Sequence, residues 1–252
     1  MNYIGSKYSL LEDIEAVLTA QGVPRSGVGL DLFAGTGAVA QLLKLQGYVT
    51  YANDWQYYSY VTNVAFIEYN ELPRFHRLLT DETWQERIGR SPQGLIETYS
   101  ILGRDPLEGD IPSAQVLSYL NQLPGEPGPF YEAYCCGGEA GRMYYSRENG
   151  LRIQAIRDAI ECWSVQQLVS DREKAWLVAC LLESADRVAN TASVYGAYLK
   201  HVKDSAQKPL TLVALRPIPS GHESHHHRVF CEDGIELLSR FAPRELRLIY
   251  VD

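Results

Sequence analysis

Apolar residues recur at helical spacing over 6–21, where Leu10, Leu11, Ile14, Val17 and Leu18 line one side of a predicted helix. The period then changes. Residues 28–33 (VGLDLF) form a short apolar run that ends in glycines, the mark of a buried strand. A second helix is expected over 38–46, closed by Gly47, then a strand at 48–53 (YVTYAN) and a helix over 55–69. This β-α-β-α order implies a parallel sheet with helices on its faces. The pattern is mixed and partly helical over 70–128, with no strand, and 123–130 (LPGEPGPF) reads as a loop. Helical spacing returns at 150–163 and 171–189. Strand-like runs follow at 210–215 (LTLVAL), 228–231 (RVFC) and 247–251 (RLIYV), with a helix over 233–241 before the last. The expected organisation is an α/β core, 1–69 and 206–252, interrupted by a mostly helical insertion, 70–205.

A chain of 252 residues with 46% hydrophobic and 21% charged residues suits such a fold. No apolar run approaches the roughly 20 residues of a membrane helix, and the N-terminus lacks the layout of a signal peptide. The five cysteines include no C-x-x-C pair and form no disulfide framework, although adjacent Cys135 and Cys136 could be redox-active. A cytoplasmic protein with no membrane association is expected. Net charge is −8, unlike most nucleic-acid binders. Its distribution is uneven: residues 1–141 carry 8 basic and 17 acidic side chains, 142–208 carry 10 and 8, and 209–252 carry 5 and 6. Any DNA contact is therefore expected in the middle segment.

The sharpest local signal is DLFAGTG at 31–37, placed after a strand and before a helix. Gly35 and Gly37 permit a tight turn and close approach of a ligand to backbone, and the amides that open the helix are free to meet a polar group. With Ala40 in the third position, a nicotinamide-dinucleotide fingerprint also remains open. Asp54, at the end of the second strand, lies where a carboxylate accepts hydrogen bonds from ribose hydroxyls, and equally where an acid caps a helix.

NYIGSK at 2–7, DLFAGTG at 31–37 and ND at 53–54 resemble the opening motifs of the DNA adenine-N6 methyltransferases whose cofactor region precedes the target-recognition region. ANTASVYGAYLK at 189–200 resembles a segment of one subgroup. CEDGIELL at 231–238 and RLIYVD at 247–252 resemble the approach to the catalytic D-P-P-Y tetrapeptide. The resemblance implies a Rossmann-like sheet binding S-adenosyl-L-methionine, with Tyr3 and Lys7 packing on and binding the cofactor and Phe33, Gly35 and Gly37 forming its turn. It further implies Asp54 as the ribose acid, Asp233 at the adenine and Asp252 as the first catalytic residue. Plainer roles fit the same residues: Tyr3 covering the sheet end, Lys7 as a solvated helix start, Asp233 as an N-cap. The insertion would read double-stranded DNA, with Arg147, Asn149, Lys200 and Lys203 on phosphates and Tyr144, Tyr145, Tyr195 and Tyr198 interleaved as stacking or packing groups.

The Pro-Pro-Tyr that follows the aspartate in the family, and the later strands of the sheet, are not in this sequence. The resemblance therefore implies part of a longer enzyme, or a fold completed by a second chain, and little turnover by these 252 residues alone. In the family the target base is flipped out, and the aspartate and a proline carbonyl accept hydrogen bonds from its amino group. A cognate restriction endonuclease is a further implied partner. Alternatives are a non-catalytic DNA-binding or assembly subunit, a methyltransferase acting on RNA or a small molecule, and a nicotinamide oxidoreductase. The histidines of 222–227 (HESHHH) read as a solvated loop rather than a metal site, because neighbouring side chains on a strand diverge.

Overall fold

The computed structural model describes residues 5–91, 94–109, 111–192 and 197–252. From the N-terminus the elements are a 3-10 turn (Lys7–Leu10), α1 (Leu11–Ala20), β1 (Val28–Asp31), α2 (Ala38–Leu45), β2 (Val49–Asn53), α3 (Tyr57–Ile67), α4 (His76–Thr80), α5 (Glu82–Gly89) and β3 (Thr98–Tyr99). They continue with α6 (Pro112–Leu120), α7 (Pro129–Tyr134), α8 (Arg147–Val165), α9 (Asp171–Arg187), α10 (Asp204–Gln207), β4 (Ala214–Leu215), β5 (Arg228–Phe230), α11 (Gly234–Leu238) and β6 (Leu246–Tyr250). The chain divides into two compact units, one of residues 5–72, 99–104 and 215–252, the other of 73–98 and 105–214.

The first unit holds a parallel four-stranded sheet in the order β5-β2-β1-β6. Its strand β1 is buried on both sides, as parallel strands covered by helices on both faces are. Leu30 and Leu32 pack with Leu237, and Tyr51, Phe230, Leu238, Phe241 and Leu246 close around them. A separate cluster joins Val39, Leu43 and Tyr48 to Leu11, Ile14, Leu18, Leu248 and Tyr250. Leu246 and Leu248 stand two apart on β6 yet fall in different clusters, because the register against β1 shifts between Val28 and Gly29.

Three buried polar side chains finish what the backbone leaves open. The Lys44 ammonium on α2 donates to the carbonyls of Ile67 (2.7 Å) and Tyr69 (2.6 Å) at the end of α3. Asn53 Nδ2 donates to Leu32 O and Glu232 O, tying the ends of β1 and β5 to β2. His227 Nδ1 accepts the Thr50 amide at 3.0 Å, just before the β2–β5 ladder starts. Burial drives the His227 pKa down to about 3, so the ring is neutral. His222 Nε2 lies 3.0 Å from Gly47 O. Two of the four histidines expected in a solvated loop therefore hold the edge of this unit together.

The second unit is mainly helical. Ser146 caps α8, and Ser170 with Glu173 forms a reciprocal capping box on α9. Trp163 and Trp176 are fully buried. The apolar run 210–215, expected as a strand, is strand only at Ala214–Leu215. Side chains take the amides that a neighbouring strand would have satisfied: Asn149 Oδ1 accepts Leu210 N, Asn121 Oδ1 accepts Leu212 N, and Ser184 Oγ accepts Val213 N. Residues 206–214 accordingly group with the helical unit rather than with the sheet. Cys135 is buried and its pKa is pushed up to about 12 by desolvation, so the Cys135-Cys136 pair is held away from the thiolate chemistry that redox activity needs.

Candidate functional site

The carboxyl ends of β1, β2, β5 and β6 converge in the first unit. Strand order reverses at β1, with β2 and β5 on one side and β6 on the other, and ligands of open parallel sheets sit at such a switch point. The turn leaving β1 there is left-handed at Gly35 (φ 51°) and Gly37 (φ 76°). Gly37 is required twice over: its φ disfavours any side chain, and a Cβ would stand 2.5 Å from Asn63 Oδ1.

Residues following β2 hold this turn from both sides. The Gly35 amide donates to Asp54 Oδ2 at 2.8 Å, and the Gly35 carbonyl accepts from Asn63 Nδ2 at 3.2 Å. Asp54 Oδ1 accepts the Gln56 amide at 2.8 Å in the turn before α3. The N-cap of that helix is Gln56, so the helix-cap reading of Asp54 is not met, and each carboxylate oxygen keeps a lone pair after its backbone bond. Ser6 Oγ lies 3.2 Å from Thr36 Oγ1, which brings the N-terminal segment onto the turn.

Asp31 closes the floor. It is 2% exposed, and its Oδ2 accepts the Ala40 amide of α2 at 3.0 Å. Desolvation, against that hydrogen bond and reinforced by the charges of Asp54 and Asp252, raises its pKa to about 7. Asp252 follows β6 and is ion-paired with Lys7, whose ammonium also donates to Gly5 O at 3.1 Å. The hydrogen bond to Asp252 raises the Lys7 pKa. Asp233 Oδ1 caps α11 by accepting from Ile235 N (2.9 Å) and Glu236 N (3.0 Å). Phe33 is half exposed and lies so close to Gly234 that a Cβ there would stand 3.0 Å from its ring.

The structure thus brings Gly35, Gly37 and Asp54 together, Lys7 and Asp252 together, and Phe33 beside the Asp233 turn. Tyr3 lies outside the described residues, as does Tyr195. Sequence reasoning missed Asp31 and Asn63 as holders of the turn. It also passed over two apolar side chains left in water, Trp55 after β2 (72% exposed) and Ile235 in the first turn of α11 (79% exposed). The signal was present for both: an apolar residue one or two positions after an acid that follows a core strand.

In the second unit the expected phosphate contacts separate. Arg147 and Lys200 are exposed. Asn149 is a correction: it is 1% exposed, its Nδ2 donates to Ala206 O and Lys208 O, and its Oδ1 accepts Leu210 N, so the amide serves the fold and has nothing left for DNA. Lys203 Nζ donates to Thr191 O at 2.8 Å, which ties down the second lysine of the group.

The family model of the D12 class of N6 adenine-specific DNA methyltransferases matches residues 3–227. The chain belongs to this class. It is 36% identical over 244 residues to type II methyltransferase M.NlaIII of Neisseria lactamica, covering 96% of this chain and 61% of that protein. It is 32% identical over 255 residues to modification methylase StsI of Streptococcus sanguinis (100% of this chain, 33% of that protein) and 31% identical over 240 residues to type II methyltransferase M.FokI of Planomicrobium okeanokoites (95% and 32%). The chain therefore spans less than two thirds of each of these relatives. No solved structure matches it. Membership implies a methyl donor, and the mixed α/β architecture with a parallel sheet agrees with a methyltransferase fold.

Proposed function

We propose that this chain is the cofactor-binding and target-recognition part of a DNA methyltransferase. The reaction moves a methyl group from S-adenosyl-L-methionine to the exocyclic amino group of adenine in double-stranded DNA. The protein acts in the cytoplasm as the modification arm of a restriction–modification system, beside a cognate endonuclease. The observation that carries this reading is the Gly35–Asp54 hydrogen bond, which fixes a carboxylate against a left-handed glycine turn at the switch point of the sheet.

The side chains at this edge suit an adenosyl sulfonium. Asp54 has lone pairs for ribose hydroxyls. Phe33, Trp55 and Ile235 offer exposed apolar surface to a purine, and Asp233 Oδ2 can accept from an amino group at its edge. Asp31, Asp54 and Asp252 supply negative charge for a cation. When bound, S-adenosyl-L-methionine supplies an electrophilic methyl on a positively charged sulfur. The Lys7 ammonium holds Asp252 Oδ2, leaving Oδ1 to accept a hydrogen bond from the target amino group. That bond favours a nucleophilic geometry at a nitrogen whose lone pair is otherwise drawn into the ring, and places negative charge where positive charge develops. The remaining contribution is alignment of the reacting atoms. A segment carrying Pro-Pro-Tyr, in the same chain or a second one, would add the carbonyl and the ring that receive the flipped base.

The test is transfer of tritiated methyl to unmethylated duplex DNA by the chain joined to such a segment. Label recovered as N6-methyladenine after digestion to nucleosides is expected. Label only in cytosine, or only in an RNA substrate, would reject the assignment.

A further inference from the structure

The second unit carries a row of aromatic rings that runs from buried Tyr145 to exposed Tyr134. Tyr198, Tyr144, Tyr134 and Phe130 follow one another with ring centroids 5.1, 6.0 and 5.3 Å apart, and Tyr145 adjoins Phe130 at 5.6 Å. Two guanidinium groups lie on this row: Arg142 sits 5.6 Å over the Tyr134 ring and Arg157 sits 5.2 Å over the Phe130 ring. Tyr134 is 42% exposed, and both arginines are exposed.

The row is rigidly supported. Tyr144 N donates to Tyr134 O at 3.0 Å, and Asn190 N donates to Tyr144 O at 2.7 Å. The buried Asn190 side chain donates to Met143 O and Leu199 O and accepts from Lys203 N, so one amide binds the strips bearing Arg142, Tyr144 and Tyr198 to each other. Such support is what a binding surface needs if its contacts are to form without an ordering cost.

Its charge is unusual for this chain. Among the described residues no carboxylate pairs with Arg142, Arg147 or Arg157. Glu132 Oε2 accepts the Glu139 amide, and Glu148 lies close enough to act on Cys136. Residues 142–208 carry a net +2 in a chain of net −8. A guanidinium held against a ring and paired with no carboxylate keeps donors free, and those donors match the paired oxygens of a phosphate. An exposed ring such as Tyr134 accepts a sugar or base of any sequence. An acidic protein surface could engage the arginines but would leave the aromatic row unused.

We propose that this ridge, centred on Arg142 and Tyr134, is a DNA-contact surface, with Arg142 donating to a backbone phosphate and the Tyr134 ring packing on the adjoining sugar or base. The proposal rests on the DNA methyltransferase reading and names residues within it. It adds Arg142, Tyr134 and Arg157 to Arg147 and Lys200, and omits Asn149.

Fluorescence anisotropy of a labelled duplex titrated with the chain, repeated at several salt concentrations, tests it. Arg142→Ala should weaken binding roughly tenfold and lower the slope of log affinity against log salt by about one. Tyr134→Ala should weaken binding roughly five- to tenfold with the slope unchanged, because a ring contact releases no counterion. Tyr134→Leu retains bulk at the site and should behave like the alanine variant, which guards against a folding artefact. Calorimetric binding of S-adenosyl-L-methionine should be the same in all variants. Wild-type affinity for DNA in both Arg142→Ala and Tyr134→Ala would overturn the ridge while leaving the methyltransferase reading intact. A wild-type chain that binds the cofactor and no duplex would overturn DNA as the ligand altogether.

Discussion

Gly37 and Asp31 show how single residues set the chemistry of this edge. Gly37→Ala forces a Cβ into a left-handed backbone and against Asn63 Oδ1. A loss of about 2 kcal/mol or more in denaturant unfolding is expected, with weaker cofactor binding as the turn shifts. Asp31 tests the pocket's electrostatics. Its folded pKa of about 7 stands above the ordinary 3.8, so the folded state binds the extra proton between those values. Stability from this group is therefore fully present below pH 4 and is lost as pH rises through 7, on the order of 4 kcal/mol by linkage. Asp31→Asn keeps an acceptor for the Ala40 amide and removes the charge. Denaturant midpoints at pH 5 and pH 8 should converge in the variant relative to the parent, and an unchanged difference would contradict the assignment. A cation bound beside Asp31 should pull its pKa down, so cofactor binding near pH 7 should release protons, seen as a dependence of calorimetric enthalpy on buffer.

Elements with a strong period were legible in the sequence. The run at 28–33 is strand over 28–31 and the run at 48–53 is strand over 49–53, because short apolar runs that follow a glycine leave little choice. The glycine turn and Asp54 were legible for the same local reason. What stayed hidden depends on partners distant in sequence. The run 210–213 has strand composition, yet Asn121, Asn149 and Ser184 take its amides, and no periodicity foretells three side chains converging from three helical segments. Asn149 was misread by the same route: a polar residue beside Arg147 resembles a phosphate contact until its burial is known. The two neighbours should therefore separate in experiment. Asn149→Ala leaves Leu210 N without a partner and should cost roughly 2–4 kcal/mol in unfolding free energy. Arg147→Ala should leave stability within about 0.5 kcal/mol, since an exposed side chain with no ion pair supports little. Equal stabilities in urea titrations would refute that division.

For the molecule as a whole, net charge was a poor guide and its distribution a better one. A chain of −8 is an unpromising DNA binder, but most of the acid lies in residues 1–141, whereas 142–208 is basic and supplies Arg142 and Arg157, the two guanidiniums on the aromatic ridge. The sheet edge assembles a glycine turn, four carboxylates and exposed apolar side chains from segments far apart in sequence, all within one unit. Because this chain spans 61% or less of the relatives compared, cofactor binding tests the account more directly than turnover does. The decisive measurement is calorimetric titration of S-adenosyl-L-methionine into the chain and into its Asp54→Ala variant. Saturable one-to-one binding to the parent, weakened at least tenfold in the variant and not displaced by nicotinamide dinucleotide, is the predicted result. No binding by a folded parent chain, or equal affinity in the two proteins, would contradict it.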